Sequence, residues 1–284
     1  MNIIEELRDI IAKPAAIQTK LLHGTIEAYN YRQRWRFRKI PAALIAQLEE
    51  NAAWRNQYEG QRCFILGNGP SLKELDLSRL RNEHTFVVNK FAYHPDAHSL
   101  DPSFYLAIDW KLGAGIWGNE FLEKLEASAT NATCFLTPEN ATYCNDRGLL
   151  KSLKRNVIMP SLRFTSDRGS IEDVCDITSC FASGDNVTKA AIGIALYMGF
   201  KEIYLIGIDG NGLLLTQNSH FYGQVNEHNT QEEFEQSLLS MFLGLREFRI
   251  INSFCEHQGV KLRHINPSTI ITAIEQETFE SLGI

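Results

Sequence analysis

His220 stands in QNSHFYG (217–223), a polar loop beyond the apolar run EIYLIGID (202–209), where an imidazole can take a proton from a bound hydroxyl near neutral pH. Its place past the carboxyl end of an apolar strand distinguishes it from His23, His84, His94, His98, His228, His257 and His264. Upstream, CFILGNGPSLKEL (63–75) sets four apolar residues before Gly67-Asn68-Gly69-Pro70-Ser71 and a helix-like pattern. Glycines at 67 and 69 permit tight backbone angles and close approach, Pro70 suits a helix start, and Ser71 can cap or donate. Free amides at a helix amino terminus suit a phosphate or another anion. Asn68 adds an amide with both donors and an acceptor. A second turn of this kind, Ala182-Ser183-Gly184-Asp185-Asn186-Val187, precedes a helical run from Asn186 to Met198. Each turn also has a purely structural reading, and in the second that reading is a helix cap by Ser183 or Asp185.

These residues need a scaffold that brings loop ends together. From Gln61 onward, short apolar runs at 63–67, 85–89, 103–109, 132–137, 156–160, 202–209 and 261–267 alternate with helical segments, among them 71–81, 119–127, 186–198 and 230–258. Strands apolar throughout and separated by helices predict a doubly wound, mostly parallel Rossmann-like α/β sheet covered on both faces. In such sheets the ligand lies beyond the carboxyl ends of the strands. That rule selects Gly67–Ser71, Asn89, Asp109 and the loop after Asp209. Residues 1–58 read as a helical N-terminal extension and 59–284 as the α/β domain, with no internal repeat. Within the extension, YNYRQRWRFRK (29–39) interleaves Arg32, Arg34, Arg36, Arg38 and Lys39 with aromatic rings. Such a segment suits either an anionic membrane surface or an acidic face of the main domain.

The 284-residue chain is 44% hydrophobic and 22% charged, enough to bury a large core. A formal net charge of −6 argues against a nucleic-acid partner. The six cysteines form no CxxC pair, which predicts packed free thiols, no structural zinc and a reducing cytoplasm. Glu5, Glu6, Arg8, Asp9 and Lys13 interrupt the first 22 residues, which therefore read as neither an export signal nor a membrane span. No Asp-x-Asp occurs, so the expectation is chemistry without a metal; no cofactor is expected beside the donor substrate.

GNGPSLKELDLSRL (67–80), followed by VVNKFAY (87–93), resembles the opening of the bacterial sialyltransferases of glycosyltransferase family 42. FKEIYL (200–205) with Gly207-Ile208-Asp209 resembles their penultimate core strand, and Ser219-His220 with Tyr222 resembles the segment bearing their catalytic base. GNGPSL and the Ser-Gly-x-Asn-Val turn are also similar to the wider domain-of-unknown-function 115 group, which includes flagellin glycosyltransferases and a 6-hydroxymethylpterin diphosphokinase. The likeness runs in patches over residues 61–270. It implies that 59–284 is a nucleotide-sugar-binding catalytic domain in which Asn68, Gly69 and Ser71 contact the cytidine monophosphate portion of a donor, with Asn89 beside them. It further implies that Ser183 and Gly184 hold phosphate or donor carboxylate and that His220 is the general base. Asp109 and Asp209 complete the expected donor-binding set. Family-42 enzymes carry tyrosines soon after the Gly-Ile-Asp element, whereas this chain has Gly210-Asn211-Gly212-Leu213-Leu214-Leu215, leaving Tyr222 as the candidate phosphate contact.

The resemblance thus implies a metal-independent glycosyltransferase moving an acidic ulosonate sugar from a CMP donor to a surface-glycan or lipid-linked acceptor. It would work in the cytoplasm or at the inner membrane face, with an oligomer left open. Two alternatives stand beside it: an ATP- and Mg²⁺-dependent pyrophosphoryl transferase with Asp109, Asp185 and Asp209 converging on the metal, and a non-catalytic nucleotide-binding component of glycan assembly.

Overall fold

The computed structural model describes residues 14–184, 186–214, 220–223, 230–266 and 268–284, with side chains from Leu21 onward. The periodic apolar residues at 3–11 of the expected leader helix, together with Asp185 and Ser219, lie outside the described residues. Helices α1 (Pro14–Phe37) and α2 (Ala42–Glu49) precede β1 (Arg62–Leu66). The chain then runs through β2 (His84–Val88), α3 (Ala97–Leu100), β3 (Phe104–Ala107), α4 (Trp110–Gly113), α5 (Gly118–Ser128), β4 (Thr133–Leu136), α6 (Pro138–Arg147) and β5 (Lys154–Val157). It continues with β6 (Met159–Leu162), α7 (Ile171–Cys175), β7 (Cys180–Ala182), α8 (Val187–Tyr197), β8 (Glu202–Ile206), α9 (Gln231–His257), β9 (Lys261–His264) and β10 (Glu275–Gln276).

Eight strands form one sheet in the order β10-β9-β8-β1-β2-β3-β4-β5, every neighbour parallel. Side chains alternate between two apolar layers. Cys63, Ile65, Phe86, Phe104, Phe135, Ile203 and Leu205 face α8, Trp54 and the carboxyl-terminal half of α9. Phe64, Leu66, Val87, Tyr105, Cys134, Tyr204 and Ile206 face Leu72, Leu77, Leu80, α5 and α6. Burial on both faces is why these strands read as continuous apolar runs, each fully buried Phe, Ile or Leu contributing about 1.5–3 kcal/mol relative to exposure. Helix α8 is buried on every side from Thr188 to Tyr197 and lies between the sheet and α9.

Four stretches differ from the sequence expectation. The stretch 71–81 is two 3₁₀ turns, Pro70–Glu74 and Leu77–Leu80, because Leu75 is extended and the Asp76 carboxylate accepts from the amide and hydroxyl of Ser78, starting a new turn. The apolar run 156–160 belongs to two sheets. Ile158, fully buried, bonds to the Leu136 carbonyl and then the chain leaves for β6, which pairs with β7 in a separate two-stranded parallel sheet. Strands β7 and β10 were not expected; at three and two residues they are too short to show a period.

Buried asparagines tie the N-terminal helices to this body. The Asn30 amide donates to the Arg163 carbonyl and accepts from the Arg163 amide, both at 2.9 Å, as a neighbouring strand would at the edge of β6. Asn51, fully buried, donates to the carbonyls of Val157 and Ile177 and accepts from the Asn156 amide. Leu48 and Trp54 enter the same core as the sheet. All six cysteines are buried free thiols, and burial raises Cys144 to about 11 and Cys255 to about 12. Among the described residues no helix is long and apolar enough to cross a membrane.

Candidate functional site

Strand order reverses between β1 and β8: β2 to β5 extend one way from β1, and β8 to β10 the other. Loops leaving the two strands therefore part here and open a crevice. A cleft of about 1250 Å³ lies along these carboxyl ends, and Asn68, Gly69, Asn89, Asp109, Ser183, Asp209, His220 and Tyr222 all line it. The topology brings together residues spread over more than half of the chain. Ser71 and Gly184 are not on its wall.

At the switch point the β1 and β8 loops zip together. The Gly67 amide donates to the Ile206 carbonyl at 2.7 Å and the Gly69 amide to Gly207 at 2.8 Å, continuing the ladder past the strands. A Cβ on Gly67 would lie 2.4 Å from the Gly207 oxygen, and one on Gly69 would lie 2.6 Å from Asp209 Oδ2, so both glycines answer to the neighbouring loop. Ser71 is buried, and its amide (3.1 Å) and hydroxyl both donate to the Asp209 carboxylate. This corrects the expected anion cradle: the amides of Gly67, Gly69 and Ser71 are already engaged within the protein. Burial raises the Asp209 pKa above the usual carboxylate value, and the two Ser71 donors partly oppose that shift.

What this region offers a ligand is side-chain amide oxygen. Asn68 donates to the Val88 carbonyl at 3.0 Å while its Oδ1 is buried without a hydrogen-bond partner among the described residues, and Asn89 Oδ1 and Asn211 Oδ1 are in the same state. Asn89 adopts a left-handed conformation (φ 46°), held by the Tyr105 hydroxyl, which donates to the Asn89 carbonyl and accepts from the Ala92 amide. All three asparagines line the cleft, and buried acceptors left in this state are rare in folded proteins. Asn266, missed in the sequence reading, holds the opposite wall: its Oδ1 accepts from the Gly207 amide at 2.7 Å and its Nδ2 donates to the Ile208 carbonyl at 2.8 Å. The only sequence signal was a polar residue directly after the last long strand, in HINP.

His220 and Tyr222 are stacked, ring centroids 5.0 Å apart. Phe221 between them is buried, and its amide donates to the Asn68 carbonyl at 2.9 Å, docking this segment on the β1 loop. Burial lowers the His220 pKa, and Lys90 and Lys111 lower it further, so the ring is neutral at pH 7 and free to accept a proton. Burial, with the nearby Asp109 charge, raises the Tyr222 pKa, keeping its phenol protonated as a donor. Asp109 caps α4, accepting from the Lys111 amide at 2.9 Å. Asn140, fully buried, fixes the end of β3 through the carbonyls of Ala107 and Asp109.

The second turn is built differently from the expectation. Asn186, rather than Ser183, caps α8, accepting from the amides of Thr188 and Lys189, while Asp185, the other expected cap, lies outside the described residues. The amides of Ser183 and Gly184 both donate to the Leu162 carbonyl, which removes them from a phosphate. Gly184 has φ 57° and backs onto Glu247, which lies within 2.5 Å of Lys189 Nζ and 3.3 Å of Arg163 Nε. Lys189 and Glu247 are each 1% exposed, a buried ion pair directly behind the turn. Neither was singled out from the sequence, where a lysine in an apolar helix and a glutamate in a long one give no sign that they meet. Ser183, Asn186 and Thr188 remain on the cleft wall. Among the described residues no three His, Cys, Asp or Glu side chains come together as a metal-holding group.

The fold and site define a doubly wound α/β protein with a ligand cleft at its topological switch point. No protein-family model and no curated protein matches the sequence. Among solved structures, the chain is similar to the sialyltransferase CstII from Campylobacter jejuni, in a complex with cytidine-5'-monophosphate: 17% identity over 77% of this chain and 85% of that one, TM-score 0.44. It is also similar to the MAf glycosyltransferase from Magnetospirillum magneticum AMB-1, at 16% identity over 85% of this chain and 39% of that one, TM-score 0.48. The monofunctional alpha-2,3-sialyltransferase Cst-I from Campylobacter jejuni gives 16% identity over 76% and 79%, TM-score 0.42.

Proposed function

We propose that this protein is a glycosyltransferase that moves an acidic ulosonate sugar from a CMP donor to an acceptor hydroxyl, with His220 as general base. The observation that carries the reading is the stacked His220–Tyr222 pair in one cleft with the amide oxygens of Asn68 and Asn89, which have no hydrogen-bond partner among the described residues. A neutral imidazole takes the acceptor proton as the acceptor oxygen bonds to the anomeric carbon. The bond from that carbon to the donor phosphate breaks, and its electron pair leaves with CMP. The Tyr222 phenol, kept protonated, donates to the departing phosphate. Asn68 and Asn89 accept from hydroxyl or amine groups of the donor. Asp209, engaged by Ser71, acts from behind by fixing the β1 and β8 loops.

A thermal-shift series with CMP, UDP, GDP and ATP, each with and without Mg²⁺, tests the donor class, because a ligand bound by the native state raises the melting temperature. Stabilisation by CMP without metal is expected. Stabilisation by ATP with Mg²⁺ and none by CMP would replace the proposal with the pyrophosphoryl transferase.

Reach toward a lipid-linked acceptor is a second part of the proposal. On α1, Ile26 and Asn30 face the body, while Tyr31 (74% exposed) and Trp35 (48%) stand outward among Arg32, Arg36 and Arg38. Lys39 Nζ lies 3.4 Å from the Trp35 ring centroid. Cations and rings on one outward face suit an anionic bilayer surface. Flotation with phosphatidylglycerol vesicles, absent with phosphatidylcholine alone and lost in Trp35→Ala/Arg36→Ala, is the expected result.

A further inference from the structure

Lys90 follows Asn89 at the end of β2, and Lys111 lies in α4 just beyond β3. Both line the cleft, and neither ammonium has an ion-pair partner among the described residues. Lys90 Nζ sits between two rings, 5.4 Å from the Trp117 centroid and 5.4 Å from that of Tyr222, so its charge is held in place beside the His220–Tyr222 stack. The only carboxylate of the same loop, Asp109, accepts from the Lys111 amide. Lys90 and Lys111 thus put two positive charges on this part of the wall, which also carries the carboxylates of Asp109 and Asp209.

Their place matters as much as their charge. A nucleotide at the switch point lies over β1 and β8. Lys90 and Lys111 are at the ends of β2 and β3, one and two strands further along, roughly 5–10 Å away at ordinary strand spacing. They stand on the His220 side of the cleft, where the second substrate must present its hydroxyl. We infer that Lys90 and Lys111 form an anion subsite for the acceptor, so that the acceptor carries a carboxylate or phosphate near the hydroxyl that His220 deprotonates. The inference rests on the transferase reading for the word acceptor.

The subsite also resolves an electrostatic conflict. Burial first, and then the two cations beside it, oppose the positive charge His220 gains on taking a proton. An acceptor anion seated between the lysines offsets them, so the base becomes stronger when the correct acceptor is present.

Calorimetric titration of the full chain saturated with CMP tests this, using glucuronate for the carboxylate, glycerol 1-phosphate for the phosphate and galactose as the neutral control. One of the two anions is expected to bind and galactose not. Lys90→Gln/Lys111→Gln should weaken that anion by about 10- to 100-fold, the usual worth of a charged hydrogen bond, while Lys90→Arg/Lys111→Arg retains it and both variants keep their affinity for CMP. The anion that binds identifies the acidic group. Binding of neither anion, unchanged anion binding in the glutamine variant, or an equal loss of CMP affinity would each overturn the inference. If CMP itself fails to bind the native protein, the donor reading falls and the acceptor assignment with it, an outcome visible before any anion is added.

Discussion

Ser71 and Asp209, 138 residues apart, meet at the floor of the cleft, where the amide and hydroxyl of one donate to the carboxylate of the other. The contact joins the loop after β1 to the loop after β8 at the point where strand order reverses.

Ser71→Ala should therefore destabilise the fold by about 1–3 kcal/mol at neutral pH, since it leaves a buried carboxylate short of a donor. Burial already raises the folded pKa of Asp209, so its contribution to stability is present below the unfolded carboxylate value and is lost as pH rises through the folded one. Removing the Ser71 hydroxyl raises that folded pKa further. The gap between wild type and variant should grow with pH across the acid range, as urea unfolding at several pH values will show; a constant gap would contradict it.

Gly69 has ordinary angles for any residue (φ −65°, ψ 155°), so its need for glycine is one of space. Gly69→Ala would push a methyl to 2.6 Å from Asp209 Oδ2 and 2.7 Å from the Gly207 carbonyl. A loss of about 1–3 kcal/mol is expected from overpacking, with weakened nucleotide binding because the two loops are forced apart. Denaturation together with CMP titration reads both effects.

Glu247→Gln leaves the Lys189 and Arg163 cations facing each other behind the Ser183–Gly184 turn. Breaking a buried pair of this kind costs about 3–5 kcal/mol, whereas Lys189→Met/Glu247→Leu should recover much of it. Chemical denaturation of the two variants would settle the order.

Burial and two neighbouring lysines depress the His220 pKa, so the ring stays unprotonated to lower pH than an ordinary imidazole. The acid limb of kcat/KM should fall below about pH 6.5, the unperturbed value. His220→Ala should lower transfer by about 10²- to 10⁴-fold while leaving CMP binding intact. Because the folded pKa is depressed, protonation opposes the folded segment, and stability is lost as pH falls through the acid range.

Much of this architecture was legible in the residues. Apolar runs with strand length, separated by helical periods, specified the parallel sheet because both faces are buried and no polar alternation is needed. His220, Asn68, Asn89, Asp109 and Asp209 could be placed at strand ends by counting along the chain, since strand direction is shared across a parallel sheet. Packing decided how those residues are used. Only the approach of the β1 loop to the β8 loop turned Gly67, Gly69 and Ser71 from a ligand cradle into a clasp on Gly207 and Asp209. Only α9 folding back on α8 placed Glu247 against Lys189, and only the loop after α4 placed Trp117 beside Lys90. Local periodicity carries which way a side chain points, because that follows from backbone geometry. It carries nothing about which distant group the side chain meets, because hydrogen bonds and ion pairs across 20 to 140 residues exist only once the layers have closed.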